Sequence, residues 1–181
     1  MHRVWSAAVL AFCVAAPVVA QNGLPPGYRQ TQLADLERER QMTLAMLDSM
    51  PERLLHYKPV PEVRDFMQQI AHAALPIGQY AARARGESPP PLGDSTAYLA
   101  SRAEMRVSIA RAYDYARGVV EGMSDADYAG TVLFFGQSTP RWKVVASGLE
   151  HSVWTRGELV SYFRLNGMAP PAFELLPRRR M

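Results

Sequence analysis

Apolar side chains recur every three or four positions along four stretches of the chain, which is the spacing of residues on one face of an α-helix. The third stretch shows the pattern with Ile109, Ala112, Ala116 and Val119. The predicted helices cover residues 31–49, a segment from about Pro61 through Tyr80, residues 96–123 and residues 140–166. Four amphipathic helices of this kind can share one core, so the sequence predicts an all-α domain built as a four-helix bundle.

Proline and glycine mark the boundaries between these helices. Pro51 ends the first helix, and residues 86–95 form a proline-rich crossing to the third. Residues 124–138 are predicted to be irregular, with an apolar run at 132–135 that can pack across one end of the bundle. Gly167 is suited to end the fourth helix in a left-handed conformation.

Pro76 falls inside the second predicted helix, four residues after His72. Proline has no backbone N–H, so we expect a kink at this point and a His72 carbonyl group without its usual helical hydrogen bond. That carbonyl group needs water, a side chain or a ligand as its partner.

The first twenty residues are predicted to be a signal peptide that is not part of the fold. A basic start at residues 1–3 precedes an almost wholly apolar run that ends in a Val-x-Ala pattern at 18–20. The alternative is a membrane anchor, but a spanning helix needs roughly 20 apolar residues and Pro17 interrupts this run. We therefore expect a mature chain that begins at Gln21 and is periplasmic or secreted.

Export leaves about 160 of the 181 residues, which suits a single domain. The predicted division is a signal peptide (1–20), a linker (21–30), the bundle (31–171) and a C-terminal tail (172–181). The single cysteine, Cys13, leaves with the signal, which excludes disulfide and thiol chemistry. The net charge is +3 and the arginines are scattered among acidic residues, so we expect no nucleic-acid partner, and no membrane partner after signal cleavage.

Three histidines remain in the mature chain, and two of them lie on predicted helices. His56 lies in the connection after the first helix, where a structural or solvated role is expected. His72 lies on a polar stripe beside the apolar seam of the second helix. His151, Thr155 and Glu158 follow one another at steps of four and three on one face of the fourth helix. Taken alone, such stripes are more often solvated faces than functional sites.

Other side chains of the last two helices have two interpretations. Arg156 and Arg164 could bind an anionic substrate, but surface salt bridges are expected. Trp142, Trp154 and Tyr113 could line a pocket, but at helical spacing they are expected in the core.

The segment at residues 149–171, LEHSVWTRGELVSYFRLNGMAPP, is similar to the fourth-helix signature of the DinB/YfiT-like metalloenzyme family. That signature is H-x-x-x-H-R-G-Q, then a few residues, then Y-L-R-x-x-G-x-x-P-P. His72 followed by two alanines also resembles the family's second-helix histidine, and the resemblance covers nearly the whole mature chain. It implies an up-down-down-up bundle in which the second and third helices run parallel, and the long crossing at 86–95 fits that order.

The resemblance also implies a divalent metal, zinc or nickel, held by one histidine of the second helix and two of the fourth. By position, His72 and His151 correspond to two of these ligands, Thr155 stands at the third histidine and Glu158 stands at the glutamine. Because the family packs these helices together and each histidine lies beside an apolar seam, we expect His72 and His151 to face each other across the bundle interior. Thr155 and Glu158 are then expected to join them in one cluster at a pocket mouth. A threonine hydroxyl is a poor ligand for either metal. Either Glu158 completes a site of two histidines and one carboxylate, or the site has decayed and holds metal weakly or not at all.

Two functions therefore stay open. The first is a divalent-metal-dependent enzyme of hydrolase or transferase type with an incomplete histidine triad, in which Thr155 orients a bound water and Glu158 is a ligand or general base. The second is a non-catalytic periplasmic bundle that binds a small molecule or another protein. The substrate is not defined by the sequence, and the resemblance allows a homodimer.

Overall fold

Helices make up most of the chain in the computed structural model, which describes residues 24–91 and 93–172. The predicted signal peptide and all but Ala172 of the predicted tail lie outside those ranges. The elements in chain order are α1 (Tyr28–Ser49), α2 (Phe66–Ala74), α3 (Pro76–Arg85), α4 (Ser95–Ala100), α5 (Arg102–Glu121), α6 (Asp125–Ala129), β1 (Thr131–Phe134), β2 (Gln137–Pro140) and α7 (Arg141–Leu165). A single 3-10 turn, Glu52–Leu54, follows α1.

Helix α1 begins at Tyr28, three residues before the predicted start, so the predicted linker at 21–30 is wrong in its last three residues. Gly27 precedes the helix with φ +79°, a conformation that glycine adopts readily. The ring of Tyr28 packs edge-on against Trp142 at 5.4 Å, which holds the first turn of α1 against the start of α7.

The second predicted helix starts later than expected and is interrupted. Pro61 lies in the connection, and α2 begins only at Phe66, because Asp65 and Gln68 form a capping box. The kink was predicted at Pro76, and the helix is interrupted at that point, since α2 ends at Ala74 and α3 begins at Pro76. The two helices together occupy the place of one kinked helix.

The third predicted helix is also divided, which the sequence analysis did not anticipate. Ser101 has extended backbone angles, and its side chain accepts a hydrogen bond from the backbone N–H of Glu104. Serine competes with the helical hydrogen bonds in this way, so it ends α4 and caps α5.

The segment predicted to be irregular, 124–138, is largely regular, so that prediction is wrong. It contains α6 and a two-stranded antiparallel hairpin in which Thr131 faces Pro140 and Phe134 faces Gln137. Phe135 and Gly136 form the two-residue turn, both with positive φ. The mostly helical, all-α class is confirmed for the bundle, and the hairpin is added to it.

Helix α7 matches its prediction to within one residue at each end. Gly167 has φ +70°, and the N–H of Met168 donates to the carbonyl oxygen of Phe163 at 3.0 Å. This is the expected glycine-dependent helix end.

Side-chain contacts define how α7 runs against its neighbours. Gln69 of α2 contacts Thr155, while Tyr80 of α3 contacts Gly148 further back along α7, so α7 is antiparallel to α2 and α3. Helix α1 runs parallel to α7, because Gln32 bonds Trp142 and Glu39 bonds Arg156. These directions agree with the up-down-down-up order, which stays a prediction for the bundle as a whole.

One continuous apolar core joins these helices. Phe66, Ile70, Ile109 and Leu159 are fully buried in it. None of the helices in the described ranges is long and apolar enough to span a membrane.

Candidate functional site

Two histidine rings face each other across the contact between α2 and α7. The centroids of the His72 and His151 rings are 5.1 Å apart, and the ring planes meet at 87°. Both residues are half-buried. The predicted meeting of these two side chains is confirmed, whereas their role as metal ligands stays a prediction.

A hydrogen bond ties His151 to the backbone of α2. Its Nε2 lies 3.2 Å from the carbonyl oxygen of His72, the group that Pro76 leaves without a helical donor. Because a carbonyl oxygen only accepts, Nε2 of His151 carries the proton and donates it. The partner that the His72 carbonyl group was predicted to need is therefore a side chain of α7.

The two rings lie beside a cavity of about 210 Å³ at one side of the bundle. Tyr80 stacks on His151 with the two ring centroids 6.1 Å apart. The ring centroid of Phe134, in the hairpin, lies 5.9 Å from that of Tyr80. The other lining residues come from α3 and the hairpin turn: Pro76, Gln79, Arg83 and Phe135. The hairpin that the sequence analysis missed thus supplies one aromatic wall of the cavity.

The environment of His72 favours its neutral form. Burial lowers the pKa of the imidazole, and the positive charge of Arg64 and the proximity of His151 lower it further. The carboxylate of Glu158 acts in the opposite direction and raises this pKa. At neutral pH, His72 therefore has one hydrogen-bond donor and one acceptor.

Thr155 and Glu158 do not join the histidines in that cavity. Thr155 is buried, with only 3% of its surface exposed. Glu158 is exposed and lines a different cavity, together with Arg64, Gln69 and Tyr162. The expectation that all four side chains form one cluster at a single pocket mouth is therefore wrong.

Gln69 lies between α2 and the two remaining site candidates. Its Nε2 donates to the carbonyl oxygen of Thr155 at 3.2 Å and to Oε2 of Glu158 at 2.7 Å. The residue is buried, so its amide must find such partners. Gln68 and Gln69 are neighbours in the sequence, which does not indicate which of them turns inward.

The donor set does not fit a metal centre with three protein ligands. Within the described ranges, no three histidine, cysteine, aspartate or glutamate side chains are grouped so that they could hold a metal ion. Nε2 of His151 is already engaged with a carbonyl oxygen, and the carboxylate of Glu158 is held by Gln69. A third imidazole would have to project from the position of Thr155.

The remaining side chains named from the sequence have mixed outcomes. Arg156 forms a salt bridge with Glu39, but the pair is buried and not on the surface. Arg164 is exposed and has no ion-pair partner among the residues with described positions. Tyr113 lies in the core as expected, and Trp142 is partly buried and packs against the core. Trp154 is 78% exposed and is not a core residue.

The fold and the paired histidines define an all-α bundle with a cavity that is lined by one histidine from α2 and one from α7. The sequence profile of the DinB superfamily matches residues 35–154, and the chain belongs to that superfamily. The match includes His72 and His151 and ends one residue before Thr155. No curated protein matches the chain.

Proposed function

We propose that the protein binds a small molecule in the cavity beside His72 and His151, as a non-catalytic bundle without a complete metal centre. The observation that carries this proposal is the placement of two half-buried imidazoles at the wall of an aromatic-lined cavity. A concave site with aromatic walls and a few convergent polar groups is the usual form of a small-molecule site.

The polar groups of this cavity suit hydrogen bonding better than metal ligation. Nε2 of His151 already donates to the carbonyl oxygen of His72, which leaves Nδ1 as the ring nitrogen that can contact a ligand. His72 is neutral at neutral pH because burial lowers its pKa. Gln79 adds an amide at the same cavity. Together these groups can bond both donors and acceptors of a ligand.

Nuclear magnetic resonance of the histidine rings tests this proposal. The protein labelled with ¹⁵N is titrated with single-ring probes of different charge: benzoate, benzylamine, benzyl alcohol and cyclohexanecarboxylate. At least one probe is expected to shift the ring signals of His72 and His151. His56 serves as the internal control, because its side chain is 61% exposed in the connection before α2 and lies outside the cavity.

Two variants complete this test. His151→Ala is expected to abolish the response of His72 to the probe, while His56→Gln leaves that response unchanged. The proposal fails if no probe moves the two site signals, or if every probe moves His56 as much as the other two.

A second candidate function is a divalent-metal-dependent enzyme of hydrolase or transferase type. The observation that favours it is the approach of two imidazoles from two helices, at the positions where the family resemblance puts metal ligands. Such an enzyme would need Thr155 or Glu158 to take part, and Glu158 is close enough for its charge to act on His72. Metal analysis of the purified protein beside a His72→Ala variant tests it: stoichiometric zinc or nickel that the variant loses would favour the enzyme.

We also propose that the protein is exported to the periplasm or beyond the cell. The basic start, the apolar run and the Val-x-Ala pattern at 18–20 support this. Mass spectrometry of the exported protein is expected to give Gln21 as its first residue, and an intact Met1 would contradict the proposal.

No nucleic-acid partner is proposed. Light scattering of the purified protein tests the homodimer that the family resemblance allows.

A further inference from the structure

The tip of the hairpin carries a phenylalanine in an unfavourable backbone conformation. Phe135 has φ +47°, and it is the only residue other than glycine with positive φ in the described ranges. For a bulky side chain this conformation is unfavourable, and asparagine or glycine is the usual choice at such a turn position. The ring gains little from burial in return, since Phe135 is 76% exposed. Asparagine or glycine would form the same turn with less strain, so the choice of phenylalanine at this position points to a role in binding.

The exposed ring stands beside a cation that lines the cavity. The guanidinium carbon of Arg83 lies 5.5 Å from the centroid of the Phe135 ring, and the ring centroids of Phe134 and Phe135 are 4.5 Å apart. Arg83 forms no salt bridge within the described ranges, whereas Arg85, two residues further on, pairs with Glu87. None of the described residues therefore neutralises this guanidinium, which lies at the cavity mouth.

The described residues that line the cavity are mostly aromatic and include no carboxylate. Tyr80, Phe134, Phe135 and the two imidazoles supply ring faces and edges, and among these described residues Arg83 supplies the only fixed charge. The volume of about 210 Å³ is below the ~300–1,000 Å³ of pockets that hold drug-sized ligands, so it suits a single ring.

We infer that the ligand of this cavity is a planar aromatic carboxylate, with its ring against the aromatic lining of Tyr80, Phe134 and Phe135 and its carboxylate on Arg83. This inference rests on the proposed binding function and names its ligand class. Aromatic faces favour a flat ring over an aliphatic one. A guanidinium binds a carboxylate with two parallel hydrogen bonds, which a neutral amide cannot reproduce. A cationic ligand would meet the charge of Arg83 and no counter-charge from the lining residues whose positions are described.

Titrations with matched probes test the ligand class on the full mature protein. Benzoate is expected to bind about tenfold more tightly than benzamide, which has the same ring without the charge, and several-fold more tightly than cyclohexanecarboxylate, which has the charge without the flat ring. Arg83→Gln should remove the preference for benzoate over benzamide. Arg85→Gln is the matched control on the same helix and should leave it unchanged.

Phe135→Asn separates binding from folding. Asparagine suits the turn conformation, so the variant is expected to keep or raise the melting temperature while benzoate binding weakens several-fold. Unweakened benzoate binding in this variant, or tighter binding of benzamide or benzylamine than of benzoate to the native protein, would overturn the inference. Those results would leave the proposed binding function standing, because that function fails only if no probe acts selectively on His72 and His151.

Discussion

At the scale of single residues, the most strongly constrained contact outside the cavity is the ion pair between Glu39 of α1 and Arg156 of α7. Nε and Nη2 of the arginine lie 2.6 and 2.9 Å from the two carboxylate oxygens. The side chains are only 3% and 7% exposed, so each charge is stabilised by its partner and not by water. The pair ties together the two helices that run parallel.

Replacing one partner of this pair should cost a large part of the stability. Glu39→Gln leaves a buried guanidinium without its counter-charge, and we expect the free energy of unfolding to fall by about 3–5 kcal/mol. Urea unfolding followed by circular dichroism measures this. Glu37→Gln is the control on the same helix. Glu37 pairs with Arg40 where both side chains are about one-third exposed, so the control should change stability by less than about 1 kcal/mol. Equal effects of the two substitutions would contradict the importance of burial.

The site was predictable from sequence only in part. His72 and His151 were predicted to meet because both lie beside apolar seams, and they do. Gln69 was not singled out, because the choice between it and Gln68 depends on a rotation of about 100° around α2, and the capping role of Gln68 at Asp65 decides it. The separation of Glu158 from the histidines follows from its bond to Gln69 and could not be foreseen without that choice.

At the scale of elements, the approach of α3 to α7 depends on the absence of a side chain at Gly148. A Cβ atom there would lie 2.7 Å from Cβ of Tyr80 and 2.9 Å from Cδ1 of Ile77. Gly157, nine residues further along the same helix, has no atom within 4 Å of such a position. One glycine of α7 is therefore required by packing and the other is not.

Substituting alanine at these two glycines should have opposite effects. Gly148→Ala forces α3 and α7 apart and should destabilise the protein by about 1–3 kcal/mol, because the gain in helix propensity does not offset the overpacking. Gly157→Ala adds a methyl group in open space and should stabilise the helix by up to about 1 kcal/mol. Melting temperatures of the two variants check this, and a stabilising Gly148→Ala would show that the helices can separate without cost.

Helix boundaries were predictable where one residue imposes them and not where a hydrogen bond does. Pro76 and Gly167 act through their own backbone geometry, and both breaks lie where the sequence indicated them. Asp65 and Ser101 act by capping the backbone of the next turn, and serine or aspartate does so at only some of its occurrences. The hairpin was missed because Phe135 stands where the usual turn signal would have asparagine.

At the scale of the whole molecule, the described helices share one core and should unfold together. We expect a single calorimetric transition for the mature protein, with a van't Hoff enthalpy equal to the calorimetric enthalpy. Glu39→Gln should shift this transition as a whole, because α1 and α7 belong to the same core. Two separate transitions would show that the bundle contains independent units.

Zinc calorimetry on the native protein and on Thr155→His tests the central claim most directly. That claim is that the bundle keeps its paired histidines beside a binding cavity but lacks the third ligand of a metal centre. The native protein is expected to bind zinc weakly, and Thr155→His at least about tenfold more tightly, because a third imidazole then projects beside His151. Thr155→Asn, which adds a polar group without an imidazole, should remain weak. Tight stoichiometric binding by the native protein, lost in His72→Ala, would contradict the account.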